Sequence, residues 1–209
     1  MGRSFIPSKV HYFTAELSKE EDVERLAKFA TDTCSGLNVL VNNAGVLEAG
    51  SIENTSLIQY DRVMGINARS VFHLTMLMVQ QLKKTKGCIV NVSSVNGLRS
   101  FPGVLAYNIS KSAVDQLTRC VALELAQQGV RVNAVNPGVT KTELHRRGGI
   151  DEAGYIKFLE HSKTTHAMGR TGLTSEVAAA MAFLASDAAS FITGATLPVD
   201  GGRHAMCPR

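Results

Sequence analysis

The chain has 209 residues, 44% of them hydrophobic and 19% charged, with a net charge of +4. That is enough material for one core and too little charge for a disordered chain, and the basic residues are scattered, forming no run of the kind that binds nucleic acid. The longest unbroken apolar run, Val177 to Ala185, is far too short to cross a bilayer, so no membrane association is expected.

Met1-Gly2 begins like a myristoylation signal, but Ile6 stands where that motif needs Ser or Thr. Arg3, Ser4, Ser8 and Lys9 without any acid before Glu16 have a faint transit-peptide character. Pro7 and the strand-like run after it argue against that, and no apolar signal core is present, so a cytoplasmic location is expected. Cys34, Cys88, Cys120 and Cys207 are too widely spaced for a metal-ligand pair. They read as buried free thiols of a reducing compartment.

Taken in order, Val10 to Thr14 reads as a strand. Ser18 is placed as a helix N-cap with Glu21 completing a capping box, and Val23, Leu26, Ala27 and Ala30 continue at helical spacing until Gly36. Val39 to Val41 is a short buried strand ending in the turn Asn42-Asn43-Ala44-Gly45. A long amphipathic helix is expected from Tyr60 to Lys84, stopped by Gly87, and Cys88 to Val92 is the next strand. After a loop from Ser93 to Pro102 comes a helix from Ala106 to Gln128, then a strand from Val130 to Val135 closed by Pro137-Gly138. A polar, basic stretch from Thr140 to Arg170 precedes a helix over Thr174 to Leu184, a strand over Thr196 to Val199 and the turn Asp200-Gly201-Gly202. The switching between periods of two and about 3.6 predicts βαβ units around a parallel sheet, in a single domain spanning residues 1–209.

The sharpest chemical constellation is Tyr107 with Lys111, which a helix places one turn apart on one face. A tyrosine alone is a poor acid or base, with a reference pKa of about 10. A neighbouring ammonium favours the phenolate and lowers that value, which makes proton exchange with a carbonyl or alcohol feasible. Chance gives many helices such a pair, and a half-buried tyrosine beside a solvated lysine is the plainer reading in isolation. Ser94 closes a buried strand, at the edge where parallel sheets carry reactive groups, and its hydroxyl could steady charge on a substrate oxygen. Asn67 is a poor helix former inside the long helix, either an exposed polar residue or a distortion that frees a carbonyl for a proton-relay water.

These residues occur with Asn42-Asn43-Ala44-Gly45, Ile66-Asn67-Ala68, Val92-Ser93-Ser94, Tyr107-Asn108-Ile109-Ser110-Lys111, Asn136-Pro137-Gly138 and Asp200-Gly201-Gly202. In order and spacing the set resembles the short-chain dehydrogenase/reductase family, over Val10 to Gly202, and within it the 3-oxoacyl-carrier-protein reductase branch. The resemblance implies a Rossmann-like, doubly wound parallel sheet and an enzyme that interconverts a carbonyl and an alcohol by hydride transfer with NAD or NADP. Tyr107 is then the general acid/base, Lys111 lowers its pKa and holds the nicotinamide ribose, Ser94 binds the reacting oxygen, and Asn67 maintains the water relay. The turn at Asn43, Ala44 and Gly45 approaches the cofactor ribose. Pro137, Gly138, Thr140 and Thr142 meet the carboxamide, and Glu16 takes the place of the Asp that usually reads the adenine edge.

The family's first strand, Gly-rich phosphate turn, helix and second strand would precede Val10, where this sequence has nine residues and one glycine. The fold is therefore expected to be N-terminally truncated, with its first two strands absent, and NAD or NADP binding is expected to be weak. In the family's strand order, 3-2-1-4-5-6-7, the absent strands separate Val10 from Val39. Either the Val10 strand moves beside Val39, or Val39 to Val41 becomes an exposed apolar edge.

Lys141, His145, Arg146, Arg147, Lys157, His161, Lys163, His166 and Arg170 fall where the family carries a substrate lid. They suit an anionic substrate or carrier, or more simply a solvated helix face. The histidines have no acidic or cysteine companions at ligand spacing, so no metal is expected. The expected partner is a small carbonyl or alcohol substrate. A homodimer or homotetramer is expected through outward residues such as Leu77, Leu117 and Val121. The rival reading is a non-catalytic fragment or isoform acting, if at all, as an oligomer subunit or interaction partner.

Overall fold

Four short runs rich in Val, Ile and Leu form the strands β1 (Val39–Asn42), β2 (Cys88–Val92), β3 (Arg131–Pro137) and β4 (Thr196–Val199). In the computed structural model, which describes residues 9–206, they pair in the order β1-β2-β3-β4, every pair parallel. Helices cover the sheet from both sides, as parallel sheets require. On one side α1 (Glu20–Thr33), α3 (Ser70–Thr85) and α5 (Leu105–Leu125) carry a cluster built on Ala27, Met78, Leu82, Ala122 and Leu125 against Leu40, Ile89 and Val132. On the other, α8 (Thr174–Ala185) places Leu184 and Val177 against Val90 and Val135. Side chains as deeply buried as Leu82 and Ile89 contribute about 1.5–3 kcal/mol each.

The long helix expected from Tyr60 to Lys84 forms as α2 (Leu57–Met64), a single π turn (Gly65–Arg69) and α3. The Ser56 side chain caps it by accepting from the Gln59 amide at 3.2 Å. The π turn holds the fully buried Asn67, so the distorted-helix reading describes this position and the exposed-residue reading does not.

Two expectations at the N-terminal side fail. Val10 to Thr14 is not a strand: it pairs with nothing among the described residues, Val10 and Tyr12 are exposed, and only Phe13 is anchored, its ring 5.0 Å from Phe29. A strand exists by virtue of its ladder, and this segment does not pair with the open edge of β1. The capping box is also absent. The helix starts one residue after Lys19, Ser18 bonds back to the Glu16 carboxylate at 3.0 Å, and Asp22 accepts the Glu16 amide at 2.8 Å.

Of the two outcomes left open for β1, the exposed edge is the one found. Its burial alternates, with Leu40 and Asn42 buried and Val39 and Val41 exposed on the opposite face, in register with Cys88 and Val90. Within the loop after β2 a short helix forms, α4 (Val95–Leu98), and the basic stretch contains α6 (Leu144–Arg147) and α7 (Glu152–Thr164). Cys88 is buried, but Cys34 and Cys120 are exposed, contrary to expectation. The Met1-Gly2 signal, Arg3, Ser4, Pro7, Ser8 and Cys207 lie outside the described residues. No helix among the described residues is long and apolar enough to cross a membrane.

Candidate active site

At the carboxyl ends of β1 to β3 the chain leaves the sheet in three turns, and these enclose a cleft of about 760 Å³ under α6 and α7. Its volume is that of a cofactor or drug-sized site. Apolar walls come from residues such as Leu47, Val104, Leu144, Ile150, Phe158 and Met181. Ser94, Tyr107 and Lys111 line the same cleft with Asn43, Gly45, Pro137, Gly138, Thr140 and Thr142. Ala44 sits between two of these lining residues but is itself exposed and does not line the cleft.

Ser94 caps α4, accepting from the Asn96 amide at 3.1 Å, and Asn96 is tied to Asn108 at 2.7 Å, next to Tyr107. This chain fixes the Ser94 rotamer beside the phenol. Tyr107 is 6% exposed and Lys111 4%. Burial pushes the phenol above its ordinary value, and a hydrogen bond with Ser94 opposes the rise. The expected depression of the phenol by Lys111 is therefore corrected. The ammonium donates to the Val92 carbonyl at 2.8 Å, lies 5.6 Å from the Tyr107 ring centre, and is itself lowered by burial to about 8, with Asp115 opposing. Two desolvated groups side by side each lose their charged form more than either gains from the other.

Asn67 does not reach the cleft. Its side chain brackets Val46, accepting from the amide and donating to the carbonyl at 2.8 Å each, and donates to Ser110 at 3.0 Å. It thereby pins the segment after β1 to the turn of α5 that carries Lys111. Glu16 is not brought to the cleft either: it is exposed, and its carboxylate accepts from Ser18. The segment that would carry it inward is the one that forms no strand.

Several positioning residues escaped the sequence reading. Asn136 donates to the Ser94 carbonyl and to Asp115, and Asn42 donates to Asn91, which donates to Thr118. Asparagines recurring inside apolar strands were the available signal, as was an acid four residues beyond Lys111 on the buried face. His166 gave none. Read as part of a basic lid, it is instead 3% exposed, its Nε2 accepting from the Val139 amide at 3.1 Å and its Nδ1 facing the Ser162 carbonyl at 2.6 Å. Three of the other lid cations are surface groups in ion pairs, Arg146 with Glu143 and Glu152, Lys163 with Glu160, and Arg170 with Glu176. Away from the cleft, Glu20, Glu24 and His73 bring ligand-type atoms within 4.8 Å of one another, with Glu20 already paired to Arg69 at 2.6 Å.

The cleft has room for a cofactor-sized group beside Lys111. A Cβ on Gly45 would stand 3.3 Å from the Asn67 side chain and 3.5 Å from Lys111 Nζ, so the absence of a side chain keeps the floor open beside the ammonium. Thr140 and Thr142 line the same space with Gly138 and Val139.

The sequence family described as enoyl-(acyl carrier protein) reductase matches residues 4–204. The chain is 42% identical over 190 residues to the meso-2,3-butanediol dehydrogenase of Serratia marcescens, covering 91% of this chain and 73% of that protein. In structure it is similar to the ligand-free aldohexose dehydrogenase of Thermoplasma acidophilum, with a TM-score of 0.88, 32% identity, and 98% and 83% of the two chains covered. It is also similar to the 3-ketoacyl-(acyl-carrier-protein) reductase of Brucella melitensis complexed with NADH, with a TM-score of 0.81, 34% identity, and 91% and 76% covered.

The His166 bonds need a neutral ring with its proton on Nδ1. Burial lowers its pKa below the ordinary 6.5, with the Ser162 carbonyl opposing. As pH falls below 6.5, the unfolded chain takes up this proton before the folded one, so stability declines from there through the depressed folded value. His166→Gln, which can both donate and accept, should show a smaller drop in urea midpoint between pH 7 and pH 5. Equal drops in both proteins would remove His166 from this role.

Proposed function

The chain belongs to the short-chain dehydrogenase/reductase family, and from that membership we propose that its cleft interconverts a carbonyl and an alcohol of a small molecule with NAD or NADP. The observation that carries the reading is the convergence of Ser94, Tyr107 and Lys111 in one cleft at the carboxyl edge of a parallel sheet. When bound, the dinucleotide supplies the hydride in one direction and accepts it in the other.

Tyr107, its pKa raised by burial, keeps its proton at neutral pH and gives it to the oxygen of a carbonyl being reduced. In the reverse direction the phenolate takes the alcohol proton. The Ser94 hydroxyl donates to the same oxygen, a fixed dipole aimed where charge develops. Lys111 steadies the phenolate once it forms and holds the ribose hydroxyls, while Gly45, Asn43, Pro137, Gly138, Thr140 and Thr142 receive the nicotinamide and its ribose. Asn67 acts through Val46 and Ser110, with the π turn offering a carbonyl to a relay water. Free thiols at Cys34, Cys88 and Cys120 suit a reducing cytoplasm.

Tyr107→Phe keeps the ring packing and removes the transferable proton. Carbonyl reduction should fall by roughly a hundredfold or more, read as steady-state turnover, and unchanged turnover would sink the assignment.

A second reading, a non-catalytic subunit, is favoured by the exposed edge of β1, where Val39 and Val41 stand 37% and 43% open. Calorimetry with NADH and NADPH separates the two. A low-micromolar dissociation constant supports the enzyme. A millimolar one supports the subunit.

Assembly as a homodimer or homotetramer belongs to either reading. Leu77 and Val121 pack partly against the core instead of facing outward. The surface between the long helix and α5 is marked by Phe72 and Met76, 53% and 51% exposed, with Leu117 lining its groove. Sedimentation at micromolar concentration should give a dimer or larger, and a stable monomer would contradict the proposal.

A further inference from the structure

Among the described residues no Asp or Glu lines the cleft, whereas Lys111, His145 and Arg203 do. Lys111 is accounted for by the chemistry above. Arg203 enters from the opposite wall, on a single helical turn (Arg203–Ala205) that follows Gly201 and Gly202, both in the left-handed region at φ 57° and 83°. Its guanidinium lies 4.4 Å from the ring centre of Phe101, another lining residue. Stacking satisfies the flat face of the group but leaves its in-plane donors free, and the buried Nε has no hydrogen-bond partner among the described residues.

His145, on α6, approaches from the lid. Its ring packs on Phe158 at 4.5 Å, and its buried Nδ1 is likewise without a partner. The two groups are near enough that the guanidinium, after burial itself, holds the imidazole below its ordinary value and so neutral. Asp200, the nearby acid, is engaged elsewhere: it accepts from the Gly202 amide at 3.0 Å, the His204 amide at 2.6 Å and the His204 ring at 2.9 Å.

A half-buried guanidinium with an idle donor and no facing carboxylate is costly unless an anion completes it. We propose that Arg203 and His145 receive a carboxylate on the substrate, which makes the substrate class hydroxy acids and their oxo-acid counterparts. Arg203 donates two parallel hydrogen bonds to the carboxylate through its terminal nitrogens, and the His145 ring stands beside it. Leu144, Ile150 and Met181 line the same cleft, so a short apolar chain separates the carboxylate from the reacting carbon. This rests on the carbonyl/alcohol reading for its chemistry, and the anion site itself is testable without turnover.

The probes are hexanoate and its neutral isostere hexanamide, titrated calorimetrically into the full chain. Hexanoate should bind at least tenfold tighter than hexanamide, and the preference should weaken as salt is raised. Arg203→Gln should abolish the preference without altering hexanamide binding, and Arg203→Lys, which keeps the charge but not the fork, should retain part of it. Equal binding of the two probes by the wild type, or a preference that survives in Arg203→Gln, overturns the proposal. If Arg203→Gln does not fold, the wild-type comparison and Arg203→Lys decide. An inactive chain that still prefers hexanoate would discard the enzymatic reading and keep the anion site.

Discussion

Asn136 is wholly buried, and its one amide nitrogen serves three chain segments at once. It donates to the Ser94 carbonyl at 2.9 Å and to the Asp115 carboxylate at 3.0 Å, so the end of β3, the turn after β2 and the middle of α5 are held in one register. Ser93 adds a bond to the Lys111 carbonyl at 3.0 Å. A serine on a loop and a tyrosine on a helix can serve one substrate oxygen only if loop and helix cannot slide. This buried knot is what prevents it, since breaking any member strands a polar group out of reach of water. Gly97 passes directly over the knot: a Cβ there would overlap the Asp115 carboxylate and stand 2.9 Å from both the Lys111 carbonyl and Ser93 Oγ.

The dryness that makes the knot firm also sets the protonation of its neighbours. Burial raises Tyr107, raises Asp115 and lowers Lys111 to about 8, each shift toward the neutral form. A site assembled for stability alone would exclude all three groups, and two of them, Tyr107 and Lys111, line the cleft. The pairing inferred from the spacing of Tyr107 and Lys111 captured which residues meet. It reversed the sign of the phenol's shift, because spacing reports proximity and carries no information about solvent.

Contrasts of this kind recur through the chain. Strands β1 to β4 and the helices α1, α3, α5 and α8 were legible because β-branched runs and apolar periodicity record burial directly, whereas α4 fell in a stretch read as loop and α6 and α7 in one read as polar and basic. Val10 to Thr14 has the same composition but lacks a ladder, and no local pattern states whether a neighbour will be there. Ser18 and Glu21 have the spacing of a capping box, yet the nearer carboxylate of Glu16 captured the hydroxyl. Site residues identified from motif order lay mostly in one cleft, Asn67, Glu16 and Ala44 excepted, whereas His166 and Arg203 became visible only through contacts with residues distant in sequence.

The strand order has a consequence for how the chain reaches this state. Because β1, β2, β3 and β4 lie side by side in the order in which they occur, each βαβ crossover closes on a partner already present in the preceding stretch of polypeptide. A chain emerging from a ribosome can thus extend its sheet one strand at a time, never waiting for a later segment to fill a gap between earlier ones. The exception is the knot at Asn136, which needs β2, α5 and β3 together. The relative placement of Ser94 and Tyr107 is therefore set only when β3 docks, after the framework that carries them has been laid down.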